Sequence, residues 1–174
     1  MAIRRIVELG DPLLRVTSQE VTEMSEAFAT LDDLRDTLHE FQRVQGFGRG
    51  IAAIQIGVAQ RVIYIEIVGQ VFELINPVLT RMSAGKFRMW DDCFSFPNLM
   101  VELERSQSVT LRYQDRGGVW HEIEADGAFS ELLQHEVDHL EGVLSIDRAL
   151  DRRESFMTRT QYVRSLEKNP LRTF

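Results

Sequence analysis

The spacing of apolar residues changes twice along this chain, and those changes constrain the fold more than any other feature. Met24, Phe28, Leu31, Leu34, Leu38 and Phe41 recur at steps of three and four, the period of an amphipathic helix. This predicts a helix over 24–45, with Thr22 as its cap and Gly46 as its stop. His39 lies off the stripe and is expected at the surface. Residues 61–67 and 71–75 are instead rich in β-branched side chains. They read as a hairpin through Val68-Gly69-Gln70, ended by Asn76-Pro77. Further strands are predicted over 99–103, 108–113 and 119–125, the last two joined by a turn at Asp115-Arg116-Gly117-Gly118. His121 falls in the final strand as a half-exposed sheet residue. Helical spacing then returns over 127–140, with Asp126 as cap and Gly142 as stop. A third helix is expected over about 151–166, ending before Pro170, and a short helical turn at Asp11-Pro12-Leu13-Leu14-Arg15. Strands clustered between helices predict an α+β fold, with antiparallel sheets packed around the 127–140 helix and helices at both ends.

At 174 residues the chain suits one well-buried core better than two small ones, so a single domain over 1–174 is expected. Its 44% apolar and 27% charged residues exclude a disordered class. A net charge of −7 makes it a poor binder of DNA. Residues 148–174 nevertheless carry seven basic and three acidic side chains. That segment reads first as a solvated helix face and second as a weak contact for a polyanion. No run of about 18 apolar residues is present, so no membrane span is expected. The start, Met1 to Arg5 followed by Glu8 and Asp11, lacks an apolar secretory core. The single cysteine, Cys93, excludes an internal disulfide and fits a reducing compartment. The expected location is the cytoplasm.

Chemistry concentrates in Gln134-His135-Glu136-Val137-Asp138-His139. On a helix, residues i and i+4 share a face, so His135 and His139 can chelate one ion. Glu136 lies within reach of a water at that ion and can move its proton. Asp138 is placed to orient a ligand histidine. A catalytic site of this kind needs a third protein ligand. A histidine six residues after His139 would complete an extended protease pattern, but Ser145 stands there. Glu154 and Glu167 are further choices, on a basic and exposed helix. Cys93, in Trp90-Asp91-Asp92-Cys93-Phe94-Ser95-Phe96-Pro97, is the remaining one, and as a thiolate it suits iron or zinc; the bland alternative is a buried inert thiol. The segment Gly48 to Gln55 places small residues where backbone can approach a ligand closely and delivers a neutral amide.

Three of these segments, GRGIAAIQ at 48–55, DDCFS at 91–95 and QHEVDH at 134–139, together resemble the peptide deformylases, whose motifs GxGxAAxQ, EGCxS and QHExDH occur in this order. Asp11 to Arg15 and Ile75-Asn76-Pro77 are similar to that family too, and the resemblance spans about residues 3 to 150. It implies removal of the N-formyl group from N-formylmethionyl nascent polypeptides, releasing formate. It also implies one divalent metal ion, Fe²⁺ natively, with Zn²⁺, Ni²⁺ or Co²⁺ able to occupy the site. The implied ligands are Cys93, His135 and His139, with Glu136 as general base. Gln55 and the Phe94 backbone N–H are implied donors to the formyl oxygen, and Gly50 a backbone contact to substrate. Four positions depart from the family pattern: Asp91 for Glu, Asp92 for Gly, and Arg49 and Glu131 where apolar residues near the substrate are usual. Arg49 and Glu131 either pair as a polar wall or read a charged group on a different formylated substrate. Two other functions remain open from residues alone: a metallopeptidase, and a paralogue that binds metal or ligand without turnover. The basic C-terminal segment gives the ribosome as an expected further partner.

Overall fold

The computed structural model describes residues 2–67 and 69–168. The Val68 of the expected hairpin, and residues 169–174 with Pro170, lie outside the described residues. Helix α1, Glu26–Gln45, buries Leu31, Leu34 and Leu38 completely, as the stripe predicts. Its cap position is Ser25 rather than Thr22, with no side-chain hydrogen bond. Gly46 ends it in a left-handed conformation. The chain then enters strand β1, Gly50–Ala52, and a 3-10 turn, Ala53–Ile56. Strands β2, Val62–Ile67, and β3, Gln70–Met82, form the expected hairpin.

Asn76-Pro77 does not end β3. Asn76 adopts a left-handed backbone, with φ 52°, and the pairing with the next strand shifts between Ile75 and Val78. The dipeptide is a bulge, a place where a strand tolerates proline. The Asn76 side chain compensates for the broken ladder. It accepts from the Val21 N–H at 2.8 Å and donates to the Val21 carbonyl at 2.8 Å and to Gln114 at 2.9 Å.

Strand β4, Lys86–Asp92, is absent from the sequence reading, although Phe87 and Met89 alternating with Lys86 and Arg88 carry its signal. Strands β5, Leu99–Ser106, β6, Ser108–Gln114, and β7, Trp120–Asp126, match expectation, with β5 running three residues longer. Helix α2, Gly127–Leu140, has the expected bounds. Asp126 occupies the cap position, but its side chain makes no cap bond. The third helix starts later than expected. Asp151 accepts from the N–H groups of Arg153 and Glu154, which folds 151–155 into a turn. A short strand β8, Phe156–Thr158, follows, and α3 is Arg159–Lys168. Glu154 is therefore outside the helix.

All neighbours are antiparallel. One sheet has the order β1-β2-β3-β6-β7 and the other β4-β5-β8. Strand β2 is apolar on both sides because both are covered. Val62 and Tyr64 pack with α1, and Ile63 and Ile65 with Leu132, Leu133 and Val137 of α2. Helix α2 also contacts β5 of the second sheet, so it lies between the two sheets. The α+β expectation, with antiparallel sheets around the 127–140 helix, matches this arrangement. No helix among the described residues is long and apolar enough to cross a membrane.

Candidate metal centre

Helix α2 carries polar residues on a buried face, which is costly unless each is partnered. Gln134 shows how this is met. It accepts from the Ser106 N–H and donates to the Ser106 carbonyl, both at 3.0 Å, pinning the helix to the end of β5. One residue on, His135 Nε2 lies 3.2 Å from His139 Nε2. Cys93, on the loop that follows β4, brings its Sγ to 3.3 Å from the same His139 nitrogen. The three donor atoms all lie within 4.8 Å of one another, and all three residues are buried. Bonds of about 2.0–2.3 Å at tetrahedral angles give donor separations of about 3.3–3.6 Å, so the cluster fits a divalent cation. Burial pushes His139 down to the neutral form a ligand needs.

The second carboxylate around this cluster differs from expectation. Asp138 bonds neither histidine; it accepts from Arg105 and Arg148, each at 2.5 Å. Asp91 takes the orienting position, with Oδ2 2.9 Å from His135 Nδ1 and 3.1 Å from Arg105. Burial alone would raise the Asp91 carboxyl, but His135 and Arg105 hold it at about 2. The sequence carried a signal for this residue: Asp91 sits two positions before Cys93, on a strand whose alternation turns it inward. Asp92 pairs with Arg159 at the start of α3, so its charge is matched too. Glu154 and Glu167 are not part of the donor cluster.

Glu136 is buried, and its Oε2 has no hydrogen-bond partner among the described residues. Burial pushes its carboxyl up to about 7, with His135 opposing the shift. Gly50 makes room for it: a Cβ there would lie 2.9 Å from Glu136 Oε1. Gln55 accepts from the Ala52 N–H at 3.0 Å, which turns its amide nitrogen toward Cys93 Sγ at 3.6 Å and Ser95 Oγ at 3.5 Å. The Phe94 ring stacks on Phe41 at 3.8 Å, anchoring the ligand loop; its N–H has no backbone acceptor among the described residues. Gly48, with φ +129°, leaves space that a Cβ would contest with the Phe94 ring at 2.5 Å. These residues line one cavity of about 380 Å³, together with Arg49 and Glu131. Arg49 and Glu131 pair at 2.9 Å in its wall. His39 and His121 lie elsewhere, exposed, on Glu66 and Asp115.

The comparisons agree with this geometry. The family model for Polypeptide deformylase matches residues 3–155. A peptide deformylase of Bartonella tribocorum is 35% identical, covering 97% of each chain. The crystal structure of a peptide deformylase from Legionella pneumophila superposes with a TM-score of 0.80 at 34% identity, over 96% of this chain and 95% of that one. That from Thermotoga maritima gives 0.81 at 32% identity, over 87% and 100%. The motif order, the α+β architecture and the match over nearly the whole length all lead to one assignment: this chain belongs to the polypeptide deformylase family.

Proposed function

We propose that the chain hydrolyses the N-formyl group of N-formylmethionyl peptides and releases formate, with Cys93, His135 and His139 as metal ligands. The observation that carries this reading is a buried carboxylate oxygen of Glu136, without a hydrogen-bond partner among the described residues, in the wall of the same cavity as the thiol and His135. A bound divalent cation supplies Lewis acidity, acidifying water and polarising a carbonyl. Fe²⁺ is the ion the family resemblance favours, and the donor set also suits Zn²⁺, Ni²⁺ or Co²⁺.

The chain's own residues do the rest. Glu136 takes the proton from the attacking water. Its raised carboxyl pKa suits it to hold that proton and pass it to the departing nitrogen. Gln55 Nε2 and the Phe94 N–H donate to the formyl oxygen as negative charge builds there, and fixed donors of this kind are worth about 100- to 1000-fold in rate. Gly50 lets the substrate backbone come close to Glu136. Asp91 holds the His135 ring in its orientation.

On this reading the reaction takes place on nascent chains in the cytoplasm, which the lone thiol, suited to a reducing compartment, supports. Arg152, Arg153, Arg164 and Lys168 are exposed, which supports a contact of this basic segment with ribosomal RNA, and co-sedimentation with and without residues 151–174 tests it. The decisive experiment is anaerobic purification, metal analysis, and formate release from formyl-Met-Ala-Ser. Glu136→Ala is expected to keep one metal per chain and lose about 100- to 10,000-fold in rate; an unchanged rate removes Glu136 from the role of base.

A further inference from the structure

The cavity has more room than a formyl group needs, and its wall carries a charge pair the hydrolysis does not use. Glu131 stands one turn before His135 on α2, so both side chains leave the same face of the helix. Its side chain is only 5% exposed, while that of Arg49 is 43% exposed. Among the described residues Arg49 is its hydrogen-bond partner, and the geometry is unequal. One nitrogen, Nη2, reaches both carboxylate oxygens, at 2.9 and 3.0 Å. The other, Nη1, goes to the Ala128 carbonyl at 3.2 Å. A two-nitrogen fork would give each oxygen its own donor; here one nitrogen is shared. A carboxylate has about four acceptor sites, so both oxygens of this buried one are bonded and can still accept a further donor. Burial pushes its carboxyl up against the pull of Arg49, which fits a charge that is incompletely matched.

The residue that carries the formylated nitrogen has to occupy the remainder of the cavity. That space reaches Leu132 and Glu131, a helical turn of about 5.4 Å before His135. We infer that this wall selects formylated peptides whose first side chain ends in a cationic hydrogen-bond donor, of lysine type, with Glu131 as acceptor and Arg49 steadying the carboxylate. Methionine is then a slower substrate of the same site. The inference rests on the deformylase reading. An apolar side chain would cover Glu131 without offering it a further donor. An acidic one would meet the buried Glu131 charge, while the Arg49 charge is shared with solvent. Of the neighbouring acids, Asp91 is matched by Arg105 and Asp92 by Arg159, and Glu136 is engaged at the formyl end of the substrate.

The test compares kcat/KM for formyl-Lys-Ala-Ser, formyl-norleucyl-Ala-Ser, formyl-Met-Ala-Ser and formyl-Glu-Ala-Ser, read as formate release by the metal-loaded protein. Norleucine is the lysine carbon chain without its ammonium. Lysine is expected to exceed norleucine and methionine by about tenfold, the worth of a hydrogen bond to a charged group, and glutamate by more. Glu131→Gln should bring the lysine-to-norleucine ratio close to one, and Glu131→Leu should invert it. A tenfold preference for methionine over lysine, a preference for glutamate, or a ratio unmoved by Glu131→Gln overturns the inference and leaves deformylation intact. Formate from none of the four peptides overturns deformylation itself. Should the variants not fold, inhibition of the unmodified protein by acetyl-Lys-Ala-Ser and acetyl-norleucyl-Ala-Ser reads the same ordering, and equal constants reject it.

Discussion

The Asp91 carboxylate accepts from His135 at 2.9 Å and from Arg105 at 3.1 Å, joining the metal cluster to a cation that is only 2% exposed. Arg105 continues to Asp138, and Asp138 to Arg148. Asp91→Asn keeps the shape and removes the charge. It is expected to lower metal affinity by about 10- to 100-fold, because the His135 ring loses its anionic partner. It should also cost about 3 kcal/mol of stability, because Arg105 is left incompletely compensated. Metal titration and urea unfolding check the two effects separately, and unchanged affinity would free His135 from dependence on Asp91. A second residue-scale prediction concerns Gly50. A methyl group there meets Glu136 Oε1 at 2.9 Å, with Ile65 and Leu132 at 3.2 Å. Gly50→Ala is therefore expected to displace the carboxylate and reduce kcat by about 100-fold, with metal content unchanged by elemental analysis.

Single elements show why local spacing was readable in some places and not in others. Helix α2 matches its predicted bounds, and its C-terminal end is marked chemically. Gly142 ends it at φ +70°, and a Cβ there would strike the Arg15 carbonyl at 2.5 Å. Strand β3 was misjudged because Asn76-Pro77 is a stop signal in isolation. In the fold, the Asn76 side chain substitutes for ladder bonds by binding Val21 and Gln114. Asn76→Ala should destabilise the protein by roughly 2–4 kcal/mol, combining lost buried hydrogen bonds with a left-handed backbone that alanine resists. Thermal unfolding tests this, and a loss under about 0.5 kcal/mol, the range of ordinary surface changes, would show that the bulge tolerates other residues. The turn at 151–155 was missed for the converse reason. Its charged residues suit a helix, and Asp151 bonding to the next N–H groups, with Leu150 and Ser155 tied to Glu102 of β5, redirects the chain.

Across the whole molecule, the metal cluster joins parts that are also held by packing and by the bonds of Gln134, Asp91 and Arg105. Cys93 follows β4 of the three-stranded sheet, while His135 and His139 stand on α2, packed against the five-stranded one. An ion bound there cross-links the two layers. Chelation is expected to lower stability by about 2.7 kcal/mol at a metal level 100 times Kd, and Tm by roughly 5–10 °C for a chain of this size. Scanning calorimetry of the metal-loaded and chelated protein measures this, and equal Tm values would mean that the cation adds nothing to the folded state. The sequence by itself determined the helix that presents His135, Glu136 and His139, because period and terminal residues act within a few positions. Similarity of motifs singled out Cys93 and Gln55. Only the tertiary structure decided which carboxylate serves His135, that Asp92 belongs to Arg159, and that Glu131 is buried with Arg49 Nη2 shared between its two oxygens. Those outcomes depend on side chains far apart in the chain meeting in a region where water cannot satisfy them, and no local pattern records which partner is nearest.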